Sequence, residues 1–296
     1  MGSMMDETTK GWLNGFVGVA IFSGSLPATR VAVQDFDPVF VTVARAAIAG
    51  LLALAVLLAL RVPRPSMRDL GSLVLVALGI VVGFPLFSAM ALRTITSAHS
   101  LVFIGLLPLA TALFGTVRGG ERPSPAFWGF AILGAAGVAG FALSQDLTAS
   151  LGADLLMLAA IIACGFGYAE GAGLARRLGD WQLICWVLVV SLPVSLPLCV
   201  VLQPADWSGI GWPAWLGLGY VAVFSMLVGF VFWYRGLALG GIAAVGQLQL
   251  LQPFLGLMLA AALLGEAVTW PMLAVTVLVV ACVAGAKRHA APRAQA

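Results

Sequence analysis

The chain has 296 residues, of which 61% are hydrophobic and only 9% charged, against about 25% charged in an ordinary soluble domain. So small a polar complement cannot cover a globule with hydrated surface, which excludes a soluble enzyme and makes the lipid bilayer an obligatory partner. The net charge of +3 is too small to imply a nucleic acid partner.

Taken in chain order, the first ten residues lack the basic, then apolar, then small-residue design of a cleaved signal, so the first apolar stretch is expected to be retained. Breaks containing charge, Gly or Pro then divide the chain into ten expected spans: 11–30, 38–60, 69–92, 95–117, 125–143, 152–174, 181–202, 211–234, 241–264 and 270–287. Each is near the roughly 20 residues that cross a bilayer core as a helix. The apolar runs 51–60, 101–114, 155–166 and 272–285 are continuous rather than alternating, which selects helices over a barrel.

Several of these spans carry residues that hydrocarbon does not tolerate idly. In the second, Arg45 lies about seven residues from one end, at a cost of about 2.5–3.5 kcal/mol on insertion scales. It either binds the carboxylate of a cargo, pairs with a carbonyl or with Asp35 or Asp37, or snorkels to the surface. The third span holds Phe84, Pro85 and Phe87, and the fourth His99, Phe103 and Pro108. Phe84, Phe87 and Phe103 could stack a flat cargo or simply pack, and His99 could bind or gate or serve a structural hydrogen bond.

Tyr168 and Glu170 fall near the inner end of the sixth span. Glu170 reads either as a proton-coupling or ammonium-binding carboxylate or as an interfacial partner of Arg176 or Arg177. No other carboxylate is expected well inside a span, so the residues do not require proton coupling. Gln247, Gln249 and Gln252 precede Pro253 in the ninth span and need polar partners, in a cargo or in neighbouring helices. Pro85, Pro108 and Pro253 each remove a helical hydrogen bond and mark expected hinges or cavity backbone. Trp12, Trp128, Trp212, Trp215, Trp233, Tyr234 and Trp270, near span ends, read as interfacial belt. The cysteines Cys164, Cys185, Cys199 and Cys282 are scattered without metal-type spacing, so neither metal nor cofactor is expected.

The chain also repeats itself. Leu92, Ala98, Leu106, Pro108, Gly120, Glu121, Val138 and Gly140 recur 145 residues later as Leu237, Ala243, Leu251, Pro253, Gly265, Glu266, Val283 and Gly285. Duplicated sets of hydrophobic helices are a transporter signature, with the binding site between the copies. Lys and Arg give direction: twelve fall in one set of alternate loops and two, Arg30 and Arg93, in the other, with Arg45 completing the fifteen. The basic set faces the cytoplasm, so both termini are expected there. Five spans per copy, an odd number, put the two copies in opposite orientation.

This pattern resembles the EamA-type proteins of the drug/metabolite transporter superfamily, ten helices in two inverted five-helix repeats, over essentially the whole chain. The resemblance rests on 91–121 and 236–266, each a helix-helix-Gly-Glu signature, with the usual basic residue kept at Arg122 but replaced by Ala267. Val43-Ala44-Arg45 is similar to the arginine-bearing second helix of that family, and Phe22-Ser23-Gly24-Ser25 to its opening motif. Ser97-Ala98-His99-Ser100 and the aromatic-rich spans are most similar to the YddG-type exporters of aromatic amino acids.

The expectation is an all-α membrane protein, residues 1–146 forming the first repeat and 147–296 the second with a short cytoplasmic tail. The resemblance implies export of small amphipathic metabolites, aromatic amino acids first, across a bacterial-type inner membrane. Alternating access, uncoupled or driven by protons, is the implied mechanism, and a monomer fits. An intramembrane enzyme would need a nucleophile and base at one depth, yet Ser23 and Ser25 lie mid-span with His99 and His289 elsewhere. A channel would need a charged ring or carbonyl filter, and neither is evident.

Overall fold

The computed structural model describes residues 7–119, 124–144, 147–240 and 245–288, and among them all regular structure is helical. Seven helices are long and apolar enough to cross a membrane: α1 Thr9–Asp35, α2 Pro38–Ala59, α3 Met67–Ala91, α4 Ser97–Gly115, α6 Leu151–Ala175, α7 Trp181–Val201 and α8 Trp212–Leu237. Three shorter apolar helices, α5 Pro125–Phe141, α9 Leu248–Leu264 and α10 Trp270–Gly285, occupy the remaining expected positions. The protein is an all-helical membrane protein. The Gly120-Glu121 turn falls outside the described residues.

Local sequence explains where helices begin. Asp37 precedes α2 and its Oδ1 accepts from the N–H groups of Val39 (2.8 Å) and Phe40 (3.3 Å), with Pro38 in the first turn where no N–H is missed. At the start of α4, Thr96 Oγ1 accepts from His99 N–H at 3.1 Å. The Glu266 carboxylate completes that cap, accepting from Ser97 N–H (3.1 Å), Ser97 Oγ (2.7 Å) and Ala98 N–H (2.7 Å). A carboxylate at a helix N-terminus satisfies orphan donors and opposes the helix dipole. The Gly-Glu pair at 265–266 is therefore a tie from the α9–α10 turn to α4. Gly265 has φ 64° and ends the α9 helix in the left-handed conformation that glycine adopts freely.

Five helices are interrupted, four of them in register with the sequence repeat. α3 widens to a π-helix over Ala77–Gly83 and α8 over Tyr220–Val228, and 77–83 moved by 145 residues is 222–228. α4 breaks between Ile104 and Leu107, and α9 changes from 3-10 helix to α-helix at Gln252, 145 residues on. α1 breaks at Gly24. Pro85, Pro108 and Pro253, the expected hinges, each stand second in the α-helical segment that resumes after a break. There their missing N–H costs nothing. Pro193 and Pro197, by contrast, sit inside the continuous helix Asp180–Val201.

The packing is paired in the same way. α1 lies along α8 and α3 along α6, α2 packs on α7, α5 on α10, and α4 on α9. Glycine permits the two closest crossings. A Cβ on Gly236 would stand 2.5 Å from Gly15 N, and one on Gly79 would stand 2.6 Å from Ala163 O and 2.9 Å from Gly167 Cα. Without a hydrophobic drive between helices in lipid, such close backbone approach is what holds them together.

Candidate functional site

The helix interruptions converge on one small cavity of about 30 Å³, room for a water molecule rather than a metabolite. The break in α1 contributes Phe22, Ser25 and Leu26, and the two π segments contribute Ile80, Ser225 and Met226. The interruptions of α4 and α9 contribute Leu107 and Gln252. Arg45 of α2, Cys164 and Tyr168 of α6, and Phe84 and Phe230 close it. Irregular backbone within a membrane is tolerated where it is buried or lines a cavity. A cavity of this size is too small for a metabolite, so a cargo requires it to widen.

Arg45 dominates the chemistry. Its side chain is buried (3% exposed), Nη2 donates to Ser225 Oγ at 3.3 Å, and that hydroxyl is 2.7 Å from Ser25 Oγ. Nε has no partner among the described residues. The two carboxylates considered as partners are engaged elsewhere: Asp37 caps α2, and Asp35 Oδ2 accepts from Gly211 N–H at 2.8 Å. Arg45 therefore neither pairs with them nor snorkels. The residues lining the cavity include one cation and no carboxylate. A buried charge without its counter-charge is costly, and a cargo carboxylate would supply what is missing.

Around this charge the walls are aromatic. Phe22 meets Phe230 edge-on at 4.9 Å between ring centroids, and Tyr168 meets Phe230 at 6.1 Å. Backbone at the α1 break is also secured: Ile21 O accepts from Tyr220 Oη at 2.7 Å and from Gly24 N–H at 3.2 Å. A Cβ at Gly24 would stand 2.5 Å from that hydroxyl. The Phe-Ser-Gly-Ser motif thus supplies the close approach and a serine bridge rather than a nucleophile.

Of the residues singled out from sequence, Arg45, Phe84, Tyr168 and Gln252 line this cavity. Phe87 is half-buried beside Pro85 and outside the lining. Gln249 lies three residues before Gln252 with Nε2 buried and unpartnered among the described residues; the Gln247 side chain lies outside what is described. Glu170 is half-buried near the far end of α6, while Arg177 there pairs with Asp69 of α3, Nη2 to Oδ1 2.8 Å. Trp233 and Tyr234, read as interfacial belt, are instead buried at 4% and 7% exposure, because the close α1–α8 crossing turns them inward. Among the described residues no three His, Cys, Asp or Glu side chains gather as a metal set.

His99 and Phe103 belong to a different place. His99 Nε2 lies 2.7 Å from Asp154 Oδ1, both side chains buried, with Phe103 stacked on the imidazole at 5.9 Å and Phe141 tilted against it at 4.9 Å. Asp154 is 2% exposed; it stands near the start of the α6 span rather than well inside it, and its burial was not foreseen from the sequence. The signal that could have found it was an aspartate standing within the limits of an otherwise apolar span.

The sequence matches the EamA-like transporter family twice, over residues 9–143 and 151–286. The chain belongs to that family. It is 63% identical over 286 residues to "Uncharacterized transporter YdeK" of Bacillus subtilis (strain 168), covering 97% of this chain and 100% of that protein. A solved structure described as "Crystal structure of protein" superposes with TM-score 0.62 at 20% identity, covering 93% of this chain and 97% of that one, which supports the fold. The family and the relative are transporters.

Proposed function

We propose that this EamA-family transporter carries small amphipathic metabolites bearing a carboxylate, with aromatic amino acids as the first candidates. The observation that carries the reading is the buried Arg45 guanidinium, whose Nε lacks a partner beside a cavity without any acidic lining residue. In this reading Arg45 takes the cargo carboxylate and Ser25 and Ser225 orient the guanidinium. Phe22, Phe84, Phe230 and Tyr168 meet the ring, and Gln252 and the ring faces receive the ammonium. Ten spans in two inverted repeats, residues 1–146 and 147–296, rock about the interrupted helices in a bacterial-type inner membrane, with both termini cytoplasmic. The direction is export, and the YddG-type subgroup is the one its motifs resemble.

Counterflow of labelled tryptophan and other amino acids in proteoliposomes, with and without a pH gradient, tests this. Saturable exchange of aromatic amino acids supports the reading, and its presence without the gradient indicates an uncoupled carrier. Absence of exchange under both conditions removes aromatic amino acids as cargo.

A further inference from the structure

The His99–Asp154 pair lies apart from the cavity and is used by nothing described above. It joins the first turn of the α4 helix to the first turn of α6, at 2.7 Å, in a pocket where the side chains are 8% and 3% exposed. Asp154 Oδ2 is buried without a partner among the described residues. It stands at the end of α6 opposite the Arg177–Asp69 pair.

Among the described residues, the other charges nearby are committed elsewhere. On the elements packed against this part of α4, Glu266 is committed to the Ser97 and Ala98 cap, Arg30 of α1 donates to the Leu92 carbonyl, and Asp35 accepts from Gly211. Helices α5, α9 and the near half of α10 contribute no charged side chain, and Arg93 on the preceding loop is exposed. On α6, Glu170, Arg176 and Arg177 lie four or more turns away.

We infer that His99 and Asp154 form a proton-binding site that latches the outer ends of α4 and α6. With the proton bound, imidazolium faces carboxylate and the pair is neutral and stable in its dry pocket. Once the proton leaves, the imidazole is neutral and the carboxylate remains as an uncompensated buried charge. Water must then reach Oδ2, and the ends of α4 and α6 part to admit it. Histidine is the side chain suited to make this change near neutral pH. Because α4 also carries Leu107 at the cavity, separation of these ends transmits to the binding site. The latch exists in one half alone: at the 145-residue offset His99 becomes Ala244.

The test needs no cargo, so its failure is separable from failure of the transport reading. The chain has two histidines, His99 and His289, so ¹⁵N-histidine NMR of the full chain in lipid nanodiscs, purified without a histidine tag, resolves each imidazole. The site predicts that the His99 imidazole exchanges its proton as pH is varied, and that Asp154→Asn alters this change while leaving His289 untouched. In parallel, hydrogen exchange of residues 97–104, compared between variants at matched pH, should rise with pH in the wild type and lose that dependence in Asp154→Asn. An imidazole fixed in one form throughout, or identical pH responses in the two proteins, overturns the inference. Should Asp154→Asn not fold, the wild type decides: exchange that rises together with loss of the His99 proton supports the latch, and exchange independent of it refutes it.

Discussion

The two halves of the molecule share a scaffold and differ in chemistry. Ile80 and Ser225 occupy equivalent places in the two π segments, and Leu107 and Gln252 equivalent places at the two resumed helices, and all four line the cavity. At both of these pairs the first half presents an apolar side chain and the second a polar one. The charge runs the other way: Arg45 comes from the first half, and its equivalent at 145 residues is Val190, outside the cavity. The breaks come in pairs, at places 145 residues apart in the two halves. Recognition needs an asymmetric cargo to meet an apolar wall and a polar wall, so the side chains diverge while the backbone does not.

That contrast can be broken most severely at Arg45. Arg45→Met should cost about 2–5 kcal/mol of cargo binding, a loss of thirtyfold or more in transport at roughly 1.4 kcal/mol per decade. The folded protein should be equally or more stable, by about 1–3 kcal/mol, since an unpartnered buried polar group is removed; thermal unfolding alongside flux measures both. Transport lost together with stability would make Arg45 a structural residue instead.

The scaffold claim is sharpened at the two close crossings. Gly79→Val and Gly236→Val should each destabilise by about 1–3 kcal/mol or more, because backbone rather than flexible side chains stands within 2.6 Å and 2.5 Å of the new Cβ. Comparable losses of melting temperature in the two variants support equivalent halves. A large loss in one and none in the other would show that the halves are not alike in what holds them.

Chemistry is tested next by making the second half resemble the first. Gln252→Leu should raise KM about tenfold, one hydrogen bond to a charged or polar cargo group being worth roughly 1.5 kcal/mol, with little change in folding. Leu107→Gln, on the apolar wall, should not compensate it; restoration of transport in the double variant would refute the assignment of walls. The smallest effect is expected at Glu266→Gln, where weakening the α4 cap should cost about 1 kcal/mol, read as a modest fall in melting temperature with KM unchanged.

Much of the fold was legible because bilayer thickness and backbone satisfaction leave few options: apolar runs of the right length became helices at the expected positions. Pro85, Pro108 and Pro253 stand just after helix interruptions, whereas Pro193 and Pro197 lie in a continuous helix, so proline alone did not mark the breaks. Arg45, Tyr168, Phe84 and Gln252, singled out by the cost of burying them or by their neighbours, line the cavity. Partners were not legible, because they depend on which faces meet. Ser225 as the bond to Arg45, Glu266 as the cap of α4 and Asp154 as the companion of His99 lie 180, 169 and 55 residues away in sequence. Trp233 and Tyr234 misled for the same reason, since nearness to a span end says nothing of the rotation that buries them.

The central claim is that the cavity's uncompensated charge recognises the cargo carboxylate. Competition for tryptophan counterflow by tryptophan itself and by tryptamine, which keeps the ring and ammonium but lacks the carboxylate, tests it most directly. The account predicts that tryptophan competes and tryptamine does not, and that Arg45→Met abolishes the exchange. Equal competition by tryptamine, or exchange undiminished in Arg45→Met, would contradict it.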